Sequence, residues 1–169
     1  MTPVTAAETT FTTHNDLPAA SRTQVAELLN RRLADALDLQ SQCKQAHWNV
    51  KGPQFIALHK LFDDVYGDVT DYADLLAERV VQLGGVARGS VRDVAETSEL
   101  DEYPPSISSG EDHVKSLSAA VTAFASRMRL AIGETDDLDD AATADICTEI
   151  TRGADKWLWF IEAHTQSRG

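Results

Sequence analysis

Five residues in the first half of the chain have the types and spacing to bind a transition metal: His47, His59, Asp63, Asp74 and Glu78. Imidazoles mixed with carboxylates suit iron(II), with zinc and manganese as competitors. Carboxylates also favour iron(III), so the same set supports oxidation as well as binding. A structural zinc site more often recruits cysteines, and Cys43 and Cys147 are the only two in the chain.

Four of the five sit on one expected helix, from about Phe55 to Leu83. Its apolar stripe is Leu58, Phe62, Val65, Val69, Tyr72, Leu76 and Val80, a helical period throughout. At 100° per residue, His59, Asp63, Asp74 and Glu78 fall within an arc of about 100°, well away from that stripe. An exposed acidic face is the plain alternative. Ile56 and Val81 lie on the same arc, however, together with the small residues Gly67, Thr70 and Ala77. The face therefore reads as a contact surface with acids in it. Asp63 and Asp74 are eleven residues apart, about 16 Å along a straight helix. One straight helix cannot bring them to the same ion. An antiparallel second copy can, by laying Asp74 and Glu78 of one chain beside His59 and Asp63 of the other. The crossing falls near residues 68–69, and a two-fold dimer makes two such sites.

His47 ends an earlier helical pattern that runs from a cap at Ser21 to about Trp48. Its stripe is Val25, Leu28, Leu29, Leu33, Ala36, Leu37 and Cys43, and Gly52-Pro53 breaks it. Gly84-Gly85 ends the second helix. Residues 86–108, with Gly89 and Pro104-Pro105, form a long connection with room for a short helix near Val91 to Thr97. That length suits a crossover between helices pointing the same way. Ser109 and Asp112 read as a capping box opening a third helix to about Ile132, closed by Gly133. A fourth begins near Asp139 and carries Ile146, Ile150, Trp157, Leu158 and Ile161. The fold expected is all-α: a ferritin-like four-helix bundle over residues 21–169, preceded by a flexible tail over residues 1–20.

The 169 residues suit a single domain, and 43% are hydrophobic. The net charge of −12 disfavours broad attraction to nucleic acid or anionic lipid and suits cations. Two cysteines make no disulfide framework, no apolar run is long enough for a bilayer, and no secretory signal pattern opens the chain. A cytoplasmic protein is expected.

The run His47-Trp48-Asn49-Val50-Lys51-Gly52, then Phe55, His59, Asp63, Asp74, Glu78-Arg79 and Gln82-Leu83-Gly84-Gly85, resembles the Dps family, the mini-ferritins. Asp155-Lys156-Trp157-Leu158-Trp159-Phe160-Ile161-Glu162 resembles that family's last helix. The resemblance implies a hollow dodecamer. It implies that iron(II) is oxidised at sites shared across a two-fold interface, often by hydrogen peroxide, and stored as ferric oxide. His47, His59 and Asp63 would come from one subunit and Asp74 and Glu78 from its partner. Trp48 resembles the family tryptophan beside the site, which takes up oxidising equivalents; plain packing is its other reading. Asp145 matches a position lining acidic three-fold pores, and Asp140 is a weaker pore candidate that also reads as a helix-dipole partner. Asp64, Asp68 and Asp71 could face the cavity. Ferritins proper use Glu-x-x-His pairs within one bundle, and this sequence has none.

DNA-binding members of the family often carry a lysine-rich tail, whereas the first basic residue here is Arg22. Direct DNA binding is expected to be weak or absent. Two other functions remain open: a DNA-compacting nucleoid protein with little catalytic role, and a zinc-buffering cage.

Overall fold

Leu58, Phe62, Val65, Val69, Tyr72, Leu76 and Val80, the stripe of the second expected helix, are all buried along one side of a helix, α2 (Phe55–Gln82). The computed structural model describes residues 11–166. Its other helices are α1 (Ala19–Asn49), α3 (Val91–Thr97), α4 (Gly110–Asp136) and α5 (Ala141–Glu162). α1 packs against α2 and α4 against α5, and α1 with α4 and α2 with α5 close the bundle. Phe62, Phe124, Leu29, Leu39, Met128, Ile150 and Ile161 fill the centre.

The connection from α2 to α4 crosses the length of the bundle. Lys51, just before α2, donates its N–H to the Ser108 carbonyl (2.9 Å), just before α4. The two helices therefore start at the same end and point the same way. Such a long connection carries backbone groups that must find partners. Buried polar side chains of α1 supply them. Asn30 donates to the Val86 carbonyl (3.1 Å) and accepts from the Arg88 N–H (2.8 Å). Asp35 accepts from the Glu99 N–H (2.8 Å), and Gln42 donates to the Asp101 carbonyl (3.1 Å). Arg32 joins Asp35 to Glu99. Burial pushes the Asp35 carboxyl up, partly offset by the Glu99 N–H and Arg32. The short helix on this crossover, α3, is opened by a capping box of Ser90 and Asp93.

The ends of the helices differ from expectation in four places. Pro18, not Ser21, precedes α1, as its fixed φ suits a helix entry. Gly133 lies inside α4, which continues to Asp136, because Thr135 is fully buried and its hydroxyl bonds back to the Ala131 carbonyl (2.8 Å). Ser109 accepts from the Asp112 N–H, but Asp112 accepts from the Ser109 hydroxyl rather than from its N–H. α5 starts after Asp140, which caps it by accepting from the Thr143 N–H (3.0 Å).

Of the tail expected over residues 1–20, residues 1–10 lie outside the described residues. Beyond them Phe11 donates to the Gly84 carbonyl (2.7 Å), and Arg22 donates to the carbonyls of Asn15 and Leu17. Gly84 has φ +87°, and a Cβ there would lie 2.6 Å from the Phe11 oxygen, so glycine is required.

The buried Asp140 is held by Arg79 from α2 (2.8 Å), which also donates to Thr143 (2.8 Å). Arg79→Ala leaves that carboxylate buried and unpaired, a loss of about 3–5 kcal/mol for a broken buried pair. A lowered thermal midpoint at fixed protein concentration is expected, and a midpoint equal to the parent's would contradict the pairing.

Candidate metal centre

The turn between α1 and α2 sets two imidazoles face to face. Gly52 has φ +110°, a conformation that side chains disfavour, and the Phe55 N–H closes the turn on the Gly52 carbonyl (3.0 Å). This brings the end of α1 against the first turns of α2. The His47 and His59 rings stack with centroids 3.7 Å apart and planes 20° from parallel. Each backbone then orients the other ring. His47 Nδ1 donates to the His59 carbonyl (2.6 Å), and His59 Nδ1 donates to the His47 carbonyl (2.8 Å). A carbonyl only accepts, so each Nδ1 carries the proton and each Nε2 keeps its lone pair. Metal-binding histidines are oriented in this way, by an N–H donated to a carbonyl.

Asp63, one turn beyond His59, lies 4.0 Å from His47 Nδ1. Its nearest partner is Lys44, one turn before His47, which donates to it directly. That hydrogen bond holds the Asp63 carboxyl below the usual carboxylate range, with smaller help from the two histidines. Lys44 also lies 4.3 Å from the centroid of Tyr66, a cation–π contact. Sequence reading passed over Lys44, although its three-residue spacing from His47 puts both on one side of α1.

Asp74 and Glu78 are exposed on the far half of α2, away from this cluster. Among the described residues, no three of His, Cys, Asp and Glu in one chain form a group able to hold a metal ion. Cys43 and Cys147 are buried, and burial pushes both thiols up to about 12. The outer face of α2 keeps Ile56 and Val81 each 59% exposed, and the space beside Gly67 is empty. Trp48 is 68% exposed next to His47.

The remaining acids divide. Asp145 is exposed on the first turns of α5. Asp140 is buried, bonded to Arg79 and Thr143, and caps α5. Asp64 and Asp71 are exposed, whereas Asp68 accepts from Trp157 Nε1 (2.7 Å) and so ties α2 to α5.

Four long helices in two antiparallel pairs, joined by one lengthwise crossover, define the ferritin-like class. A family model described as the ferritin-like domain matches residues 26–168. The chain is 45% identical over 159 residues to the DNA protection during starvation protein of Agrobacterium fabrum, covering 94% of this chain and 98% of that one. DpsA14 from Streptomyces coelicolor has the same fold with a TM-score of 0.89 at 33% identity, covering 96% of each chain. Dps from Microbacterium arborescens, solved in a high iron form, gives a TM-score of 0.81 at 34% identity, covering 92% of this chain and 99% of that one. The chain belongs to the Dps family, the iron-handling mini-ferritins within that class.

Replacing Lys44 by Met removes the cation from Asp63. Cobalt(II), a spectroscopic stand-in for iron(II), should then bind up to about fivefold tighter, the worth of a largely exposed ion pair. Absorbance titration measures this, and weaker binding in the variant would show that Lys44 supports the site instead of competing with the ion.

Proposed function

We propose that the protein oxidises iron(II), with hydrogen peroxide as the oxidant, at sites completed by two copies of the chain, and stores the ferric product inside a dodecameric cage. The observation that carries this reading is the paired histidine arrangement. Both Nε2 lone pairs are free, and a carboxylate stands one turn away. His47, His59 and Asp63 supply one half of the ligand set. Asp74 and Glu78 of a two-fold-related copy supply the other, since one straight helix holds the halves about 16 Å apart. The exposed Ile56 and Val81 and the open space at Gly67 support a second α2 lying across this face.

In this arrangement iron(II) is the substrate. The imidazoles bind it in its reduced form, and the three carboxylates offset the added charge once it is ferric. Oxidation by peroxide consumes both partners of hydroxyl-radical chemistry, so protection from oxidative damage accompanies storage. The acidic composition supports the uptake of cations, and Asp145 is the exposed candidate for a pore lining. Zinc fits the same ligands and would act as a competitor without turnover. No cation precedes Arg22, which supports weak or no direct DNA binding. No helix among the described residues is long and apolar enough to cross a membrane, and the two free thiols support a reducing, cytoplasmic setting.

The decisive comparison pairs the parent protein with an Asp74→Ala/Glu78→Ala variant. Iron(II) is added anaerobically, then peroxide, and ferric absorbance is followed. The variant should lose most of the initial rate while remaining folded, and equal rates would defeat the shared-site reading. Asp145→Asn should slow iron uptake and leave dimer formation intact; unchanged uptake kinetics would remove its pore role.

A further inference from the structure

Tyr103 and His113 form a pair that the metal site does not use. Tyr103 lies on the crossover and His113 on the first turn of α4. The Tyr103 hydroxyl is 2.5 Å from His113 Nδ1, and the rings lie nearly parallel. His113 is 1% exposed. A phenol is the stronger donor, so the hydroxyl gives its proton to the bond and the neutral imidazole carries its own on Nε2. That Nε2 is buried and has no hydrogen-bond partner among the described residues, and the Asn49 backbone beside the ring favours its charged form. Burial lowers the His113 pKa and raises that of Tyr103, which keeps both neutral at pH 7. Asn49 is two residues past His47 in α1, and Phe62, which touches the His113 side of the core, precedes Asp63. The pair thus neighbours the two helix segments that carry His47 and Asp63.

We infer that Tyr103, partly buried on the crossover, is an electron donor to the iron site, with His113 as the acceptor of its proton. The inference rests on the iron-oxidation reading above. Hydrogen peroxide takes two electrons and two protons to give two waters. A site holding a single iron(II) supplies one electron. Tyr103 supplies the other, its O–H proton crosses to His113 Nδ1, and the two protons that complete the waters come from solvent. The products are iron(III), a neutral tyrosyl radical, an imidazolium and two waters, so atoms, electrons and charge balance. The Asn49 backbone beside the ring offsets the charge of that imidazolium.

The other two tyrosines lack this arrangement. Tyr66 lies under the Lys44 ammonium, and a nearby positive charge opposes loss of an electron. Tyr72 packs on Gly153, and its hydroxyl has no imidazole partner among the described residues. Its neighbouring acids raise it, after burial, to about 12.

The test loads the assembled protein with substoichiometric iron(II) under anaerobic conditions, adds peroxide, and freezes samples for electron paramagnetic resonance. Ferric absorbance is followed in parallel. The parent should give a tyrosyl signal that Tyr103→Phe loses and that Tyr66→Phe and Tyr72→Phe keep. His113→Gln retains an oxygen to accept the hydroxyl but no site to take its proton, so it should also lose the signal. Circular dichroism and sedimentation confirm that each variant is assembled. A signal of parental amplitude in Tyr103→Phe, loss confined to Tyr66→Phe or Tyr72→Phe, or a tryptophan signal alone would overturn the inference. A full signal in His113→Gln would overturn the role of His113. Ferric absorbance without any tyrosyl signal sinks this inference alone, whereas no ferric absorbance in the parent sinks the iron-oxidation reading with it.

Discussion

A straight α-helix is a ruler, and the arrangement of ligands on α2 follows from its length. Ligands one turn apart can cooperate, and ligands three turns apart cannot. α2 carries one pair at each end of an outward face, His59 with Asp63 and Asp74 with Glu78. No kink intervenes: the apolar stripe between the pairs stays in helical phase and is buried throughout. Bending α2 to unite the pairs would pull Val65, Val69 and Tyr72 out of the core. In the proposed shared-site arrangement the core stays uninterrupted, and a second chain completes the ligand set.

The stacking of His47 on His59 depends on a second constraint, the polar wiring of the crossover. The bundle needs α2 and α4 to run in the same direction, so the chain must return along its length. Asn30, Asp35 and Gln42 of α1 satisfy the backbone of that return path. These residues stand at core positions, where unpaired polar groups would cost heavily. With the crossover fixed, Lys51 pairs with Ser108, and the start of α2 is pinned against the start of α4. The turn that stacks His47 on His59 lies immediately beside this contact.

Periodicity makes α2 legible in the sequence, because its stripe and its arc of candidate ligands are separate and regular. α1 was harder to read. Its buried Asn30, Arg32, Asp35 and Gln42 mimic a solvated face, since sequence alone does not reveal the backbone they serve. Asp140 shows the same limit in reverse. Four aspartates between residues 136 and 140 look like one acidic cluster, but only a fold can place Arg79 from α2 against one of them. Gly133 read as a stop because glycine favours helix ends, and the buried Thr135 overrode it. The types and spacing of the candidate ligands are visible in the sequence. The part of Lys44 is not, because a lysine near a metal motif is ordinary until its ammonium is seen on Asp63.

Three imidazoles near the α1–α2 turn differ by what occupies Nδ1. In His47 and His59 a backbone carbonyl takes the Nδ1 proton, and the lone pair on Nε2 is left for a cation. In His113 a phenol donates to Nδ1, so the proton is on Nε2 and no lone pair faces outward. The same side chain is thus set as a ligand on the surface of the bundle and as a proton acceptor inside it. Exchanging these roles would fail on both sides. A ligand His bonded to a phenol would present N–H to the metal, and a buried His bonded to a carbonyl through Nδ1 would have no acceptor site for the Tyr103 proton. The tautomers, fixed by local hydrogen bonds, leave a lone pair for a cation at His47 and His59 and a proton-accepting Nδ1 at His113.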